Sequence, residues 1–319
     1  MSEEAGTRFS LPVNEGAGAM LGVAVGDAAG GDFEGGYAAS TQQSLVVAYH
    51  LLRHGSFERE LMLSELVDMD GDSRDPSVLR RPSDALRAWL DSAHGGEPEY
   101  RSEPGLDPVV RVTPIGMWYR RRPEDLIEAA LQSARVTHLD GPTAVMAAAA
   151  AGAVAAACFA QNGRDMLMAV TDVAARAARL VEEEPLRYAH LDQIALTLSR
   201  IREASQLVGV PAVELVTAVG SDPVGLALAG LVLGTVIGRD PQMILSEAAT
   251  VGGSPLGALV GGIVGARVGI RRWPWEVPND TWFVALGQRL VEGRADLVDL
   301  PVPYAVEQRV TYIAPDHRL

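Results

Sequence analysis

The chain contains no lysine: all 27 of its basic residues are arginine, set against 41 acidic ones, for a formal net charge of -14. An acidic surface repels phosphate backbones and anionic lipid, so neither general nucleic-acid binding nor a membrane partner is expected. Abundant Ala, Arg and Val with no lysine indicate a GC-rich coding genome and hence a bacterial source. The single cysteine, Cys158, excludes a disulfide within the chain and agrees with a reducing, cytoplasmic setting. It sits in an alanine run with no base nearby in sequence, and reads as a small buried apolar residue. Aromatic residues make up only 5%, which leaves Ala, Val and Leu to fill the core. The first residues, Met1-Ser-Glu-Glu-Ala-Gly-Thr-Arg8, hold no apolar run with a cleavage site, so no signal peptide is expected. Charge is also missing from 141–163, a length that would cross a bilayer. That stretch is mostly alanine and includes Thr143, Gln161 and Asn162, so a buried core helix is expected. The uncharged stretches 223–238 and 248–266, broken by Pro223, Pro255 and glycines, read the same way.

What is present is helical periodicity. At 319 residues the chain suits one large domain or two small ones, at about 150 residues per domain. No useful length shows the apolar alternation of a strand. Helices are expected at 15–28, 40–55, 58–68, 82–92, 123–134, 142–161, 165–181, 190–207, 211–219, 223–237, 241–250, 255–268 and 281–291. Ser83-Asp84, Pro123-Glu124-Asp125, Asp222-Pro223 and Asp240-Pro241 supply caps or first turns. Residues 93–110 read as a long loop. A compact, single-domain, all-α architecture follows, over 15–292, with an N-terminal extension at 1–14 and an irregular tail at 293–319 carrying Pro301 and Pro303.

Two glycine stripes stand out. Gly18, Gly22, Gly26 and Gly30 recur every four residues, as do Gly253, Gly257, Gly261, Gly265 and Gly269. Each leaves a helix face without side chains, at about 1 kcal/mol per glycine relative to alanine. Such a face implies that another helix, or a ligand, approaches the backbone closely.

The segments carrying these stripes, Gly18–Glu34 with Tyr37–Leu45 and Gly252–Ala266, resemble the ADP-ribosylglycohydrolase family. That family includes dinitrogenase-reductase-activating glycohydrolases and the J-type crystallins. Further matches fall in the family's order: Arg111-Val-Thr-Pro-Ile-Gly116, Ser133-Ala-Arg-Val-Thr-His-Leu-Asp140, and Trp275, Trp282, Leu286 and Leu290. The resemblance implies a multi-helix fold around a central cleft. In the family, Thr-Asp-Asp-Thr in the first segment and Gly-Gly-Asp-Thr-Asp-Thr in the second hold a pair of magnesium ions. Here the matching positions are Ala38, Ala39, Ser40 and Thr41, then Ser254, Pro255, Leu256 and Gly257. Magnesium needs octahedral oxygen ligands anchored by carboxylates, and neutral hydroxyls from Ser40 and Ser254 do not replace them. No metal and no cofactor are therefore expected.

A second departure lies before Arg111. The family's glycine-containing loop, whose amides approach a diphosphate, reads Leu106-Asp-Pro-Val-Val-Arg111 here. Pro108 removes an amide donor and Asp107 repels phosphate. Glu34 matches a glutamate that acts on the glycosidic bond in one branch of the family. It is either an acid/base on a glycine-flanked loop or a surface residue. Ser40, Thr41, Gln42, Arg111, His138, Gly252, Gly253 and Ser254 are the candidate ligand contacts. Asp27 reads equally as a cap of the first helix, Arg111 as a structural pair and His138 as a buried, bonded histidine.

Asp68-Met-Asp-Gly-Asp-Ser-Arg-Asp75 resembles the start of a calcium loop, but its glycine falls two positions early and Leu79 stands where a bidentate glutamate belongs, so a solvated acidic loop is expected. No His or Cys spacing indicates zinc. The leading expectation is a pseudoenzyme that binds a small molecule or a protein through its old cleft or its surface. The alternatives are a metal-independent hydrolase or lyase of a different N-glycoside using Glu34, or a structural, assembly-forming protein.

Overall fold

A computed structural model describes residues 11–31, 36–71, 78–159, 162–236, 238–270, 277–295 and 300–307. Fourteen α-helices are present among them: α1 (Leu11–Gly30), α2 (Ala39–His54), α3 (Arg59–Asp70), α4 (Asp84–His94), α5 (Asp107–Val110), α6 (Thr113–Trp118), α7 (Pro123–Ala134), α8 (Gly141–Ala157), α9 (Gly163–Glu183), α10 (Ile194–Ala204), α11 (Ala212–Val219), α12 (Pro223–Thr235), α13 (Pro241–Val268) and α14 (Asp280–Glu292). The described residues form no strand, only isolated bridges pairing Arg101 with His138 and Asp140 with Ala189.

The expected caps are used as written. Ser83 accepts from the Leu86 amide, Asp222 from Gly225 and Asp240 from Gln242, and Asp140, which was not among the expected caps, accepts from Thr143. Proline opens α7, α8, α12 and α13, where a missing N–H breaks no helical bond. Every residue of α8 is buried, so the alanine-rich segment is a central core helix packed by α5, α6, α7, α9 and α12. Burial pushes the Cys158 thiol at its end up to about 12, which leaves it unreactive.

The glycine stripes face each other. A Cβ on Gly261 would sit 1.9 Å from the Gly22 carbonyl oxygen, one on Gly26 1.9 Å from that of Gly257, and one on Gly265 2.0 Å from that of Gly18. As one residue number rises by four its partner's falls by four, so α1 and α13 run antiparallel in direct backbone contact. Gly16 meets the Gly287 oxygen at 2.3 Å in the same sense, which seats α14 on the other side of α1. By length and composition α13 would span a bilayer, yet it is the partner of α1 in the core.

Four details differ from the sequence reading. α1 begins at Leu11, inside the expected extension. The loop at 93–110 contains α5, and the six-residue α6, too short to leave a periodic signal, follows it. The helices expected at 241–250 and 255–268 form one element broken at Gly253, whose φ of 63° is not helical. The tail is not wholly irregular: 303–307 are helical, and Glu307 among them is fully buried.

Candidate functional site

The C-terminal end of α1, the first turn of α2 and the break in α13 meet at Asp27. Its carboxylate is fully buried. Oδ2 accepts from the Ala38 amide at 2.8 Å, the Thr41 amide at 2.9 Å and the Thr41 hydroxyl at 2.7 Å. The Ser254 hydroxyl lies against Oδ1 and is 2.7 Å from the Asp27 carbonyl oxygen. Ala38 occupies the N-cap position of α2 and has no side-chain acceptor to offer the orphan amides there. Asp27 supplies that acceptor from a neighbouring helix, with the sign of charge a helix N-terminus favours. It therefore caps α2, rather than its own helix as the sequence reading held.

The next residue of α2 faces elsewhere. Gln42 accepts from the Arg80 amide at 2.7 Å, and its Nε2 donates to the Val78 carbonyl and to Glu307 Oε2, both at 2.7 Å. Glu307 also accepts from the Tyr37 hydroxyl at 2.6 Å and from Arg80 Nη2 at 2.8 Å. The Arg80 guanidinium lies 4.4 Å over the Tyr37 ring, and Asn279 Nδ2 donates to the Tyr37 hydroxyl at 3.0 Å. Burial pushes the Glu307 carboxyl above its usual range, while Arg80, Tyr37 and Gln42 pull it back.

A third network starts from Gln43, the following residue. Its Nε2 donates to Asp107 Oδ1 at 2.9 Å and its Oε1 accepts from Arg111 Nη1 at 3.0 Å. Arg111 is fully buried and donates further to the Ser133 carbonyl at 2.6 Å and the Thr137 hydroxyl at 2.9 Å. Burial pushes its guanidinium down to about 10 despite the nearby Asp107. Asp107 Oδ2 accepts from the Ser83 hydroxyl at 2.6 Å. The amides of Val109 and Val110 are bonded to the Leu106 carbonyl and that of Arg111 to the Asp107 carbonyl, so none of the three points outward.

His138 joins this network through Nδ1, 2.9 Å from the Thr137 hydroxyl. The same hydroxyl accepts from Arg111 Nη2, so Thr137 bridges the two side chains. Nε2 is buried without a partner, against Gly105, where a Cβ would lie only 2.2 Å away. Burial, ahead of repulsion by Arg111, pushes the imidazole from 6.5 down to about 4. Between those values only the unfolded chain binds the proton, so His138 costs stability as pH falls from 6.5 to about 4, in all about 3 kcal/mol. Urea midpoints of wild type and His138→Leu, followed from pH 7 to 4, are expected to converge and then cross in favour of the variant. A gap that stays constant with pH excludes a titrating buried His138.

The remaining candidates do not converge on a shared ligand. Ser40 is buried and its carbonyl holds the Ser44 hydroxyl at 3.1 Å. Ala38 and Ala39 are buried, and the Leu256 side chain turns into the core against Gly230 of α12. Gly252 and Gly253 are half-buried at the break in α13, and Gly257 contacts Gly26. Glu34 and Trp275 lie outside the described residues, as does the second half, 72–75, of the acidic stretch ending at Asp75. Asp70 is not solvated as that stretch was expected to be; it is buried and bonded to Arg87 at 2.9 Å and His94 at 3.1 Å.

One further group has ligand-type atoms close together: His50, His54 and Glu65, within 4.8 Å of one another. His50 Nε2 accepts from the Glu58 amide at 2.9 Å, which fixes the proton on Nδ1, where it is donated to Glu65 at 2.7 Å. That ring has no lone pair left for a cation. His54 Nε2 bonds the other Glu65 oxygen at 3.1 Å, so the trio clamps α2 to α3.

The ADP-ribosylglycohydrolase family model matches residues 13–300, nearly the whole chain. The chain belongs to the ADP-ribosylglycohydrolase family. A solved structure titled "ADP-ribosylglycohydrolase-related protein complex" is similar at 21% identity and a TM-score of 0.65, covering 89% of this chain and 99% of that one, which shows the shared fold. No curated protein matches the chain. Asp27, Thr41 and Ser254 all fall within the matched residues. Glu307 falls beyond the matched region.

Sequence reasoning missed Gln43, Arg80, Tyr37 and Glu307. Gln43 had a usable signal, since three buried polar residues in a row at a helix start each need a different partner. Glu307 had none.

Proposed function

We propose that this chain is a non-hydrolysing member of the family, a pseudoenzyme that holds no metal pair and acts by binding. The observation that supports this reading most directly is the saturation of Asp27. Where the family's two ligand segments meet, the one buried carboxylate among the described residues is closed by two amides and two hydroxyls. A divalent ion entering there would have to break those bonds and would gain a single carboxylate, too little against the hydration of magnesium.

The loop before Arg111 supports the same conclusion. With the amides of 109, 110 and 111 turned inward and Asp107 at its head, those three donors are not offered to a diphosphate. Calorimetric titration with magnesium is expected to give no site-specific heat, and ADP-ribosylated protein is expected to stay modified with or without the ion. Magnesium-dependent release of ADP-ribose overturns the proposal.

A further inference from the structure

The cluster around Glu307 is built like a receptor for an anion. Three donors from the family core, the Tyr37 hydroxyl, Gln42 Nε2 and Arg80 Nη2, converge on the two oxygens of one buried carboxylate, one on Oε1 and two on Oε2. The carboxylate arrives from a turn that follows the family-matched residues 13–300, so the cradle belongs to the core and its occupant to an appended segment. The cradle also has more donor capacity than the tail uses: Arg80 Nη1 is buried with no hydrogen-bond partner. Beside it, Val302, Pro303 and Tyr304 wall a cavity of about 210 Å³ against Val46, Tyr49 and Met69, so the tail both fills the cradle and covers adjoining space.

We propose that Tyr37, Gln42 and Arg80 form a carboxylate-binding site, and that Glu307 occupies it as a built-in competitor for a small carboxylate ligand. A carboxylate is favoured over a phosphate because the donors divide over two oxygens and only one arginine supplies charge. The competition concerns the Glu307 carboxylate itself, since Val306 and Tyr304 also pack the tail against the core. Desolvation of both partners leaves a buried ion pair little net stabilisation, and the advantage of Glu307 is mainly its tethered, high effective concentration. The inference stands whether or not the chain hydrolyses anything.

Acetate is the probe, with chloride and inorganic phosphate as controls at matched ionic strength. Glu307→Ala is expected to bind acetate at least ten-fold more tightly than wild type, because the competitor is gone, and Arg80→Ala in that background is expected to abolish binding. In the wild-type protein, high acetate but not chloride is expected to raise amide exchange across 303–307. This second measurement decides the matter if Glu307→Ala does not fold. Equal acetate binding by Glu307→Ala and wild type, or a tail whose exchange ignores acetate in wild type, overturns the competition. Binding of phosphate in preference to acetate overturns the ligand class.

Discussion

Gly261→Ala is expected to lose about 3 kcal/mol or more of stability, enough to leave much of the protein unfolded at growth temperature. The added methyl would sit 1.9 Å from the Gly22 carbonyl oxygen and 2.7 Å from its carbon. Both are backbone atoms of a buried helix, so no rotamer change relieves the clash, and α1 and α13 must separate along their length. Alanine's better helix propensity returns at most about 1 kcal/mol. Gly55 is the control: it caps α2 with a φ of 75° and has open space where a Cβ would stand. Gly55→Ala suffers only the left-handed backbone penalty, about 1–2 kcal/mol. Urea denaturation of the two variants separates the cases. If Gly261→Ala proves no worse than Gly55→Ala, the backbone contact between α1 and α13 is not what the glycines serve.

Asp27→Ala is expected to cost about 4 kcal/mol, because it strands the Ala38 and Thr41 amides at about 1–3 kcal/mol each, while the Ser254 and Thr41 hydroxyls fall back on the carbonyls of residues 27 and 23. Three helices lose their common tie at once. Asp27→Asn keeps one oxygen but turns an amide group towards existing donors, so its loss is expected to be about half as large. Ser254→Ala removes one donor and should cost about 1 kcal/mol. In the double variant of Asp27→Asn with Ser254→Ala, the losses are expected to fall short of additive by about 1 kcal/mol, the sign of direct contact. Fully additive losses would place Ser254 outside the tie. Chelators should change none of these midpoints.

Much of the frame was legible because its signals are local. Ser83, Asp222 and Asp240 announce their helices one residue ahead, and the four-residue glycine spacing announces a bare face. The spacing did not say that the two bare faces meet, since either stripe alone is equally satisfied by a ligand or a third helix. The site was legible in its members but not in its wiring. Thr41, Gln42 and Gln43 are consecutive, so their side chains leave α2 about 100° apart and reach three separate networks. A list of polar residues reads them as one surface. Glu307 was beyond reach for another reason: it pairs with Gln42 across 265 positions, from a proline-containing tail without periodicity. His138 was correctly read as buried, yet nothing in Thr-His-x-Asp reveals a missing partner at Nε2.

The Gly26–Gly257 contact also bears on ancestry. The residue that the family motif places at 257 is threonine, and any Cβ there would stand 2.1 Å from the Gly26 oxygen. Restoring aspartates at 39, 40, 254 and 256 one at a time would thus add charge to a closely packed frame in which 39, 40 and 256 are buried. On the reading proposed above, rebuilding a metal pair therefore requires parting α1 from α13 as well as exchanging side chains, and binding partners are to be sought in directions that leave this seam shut.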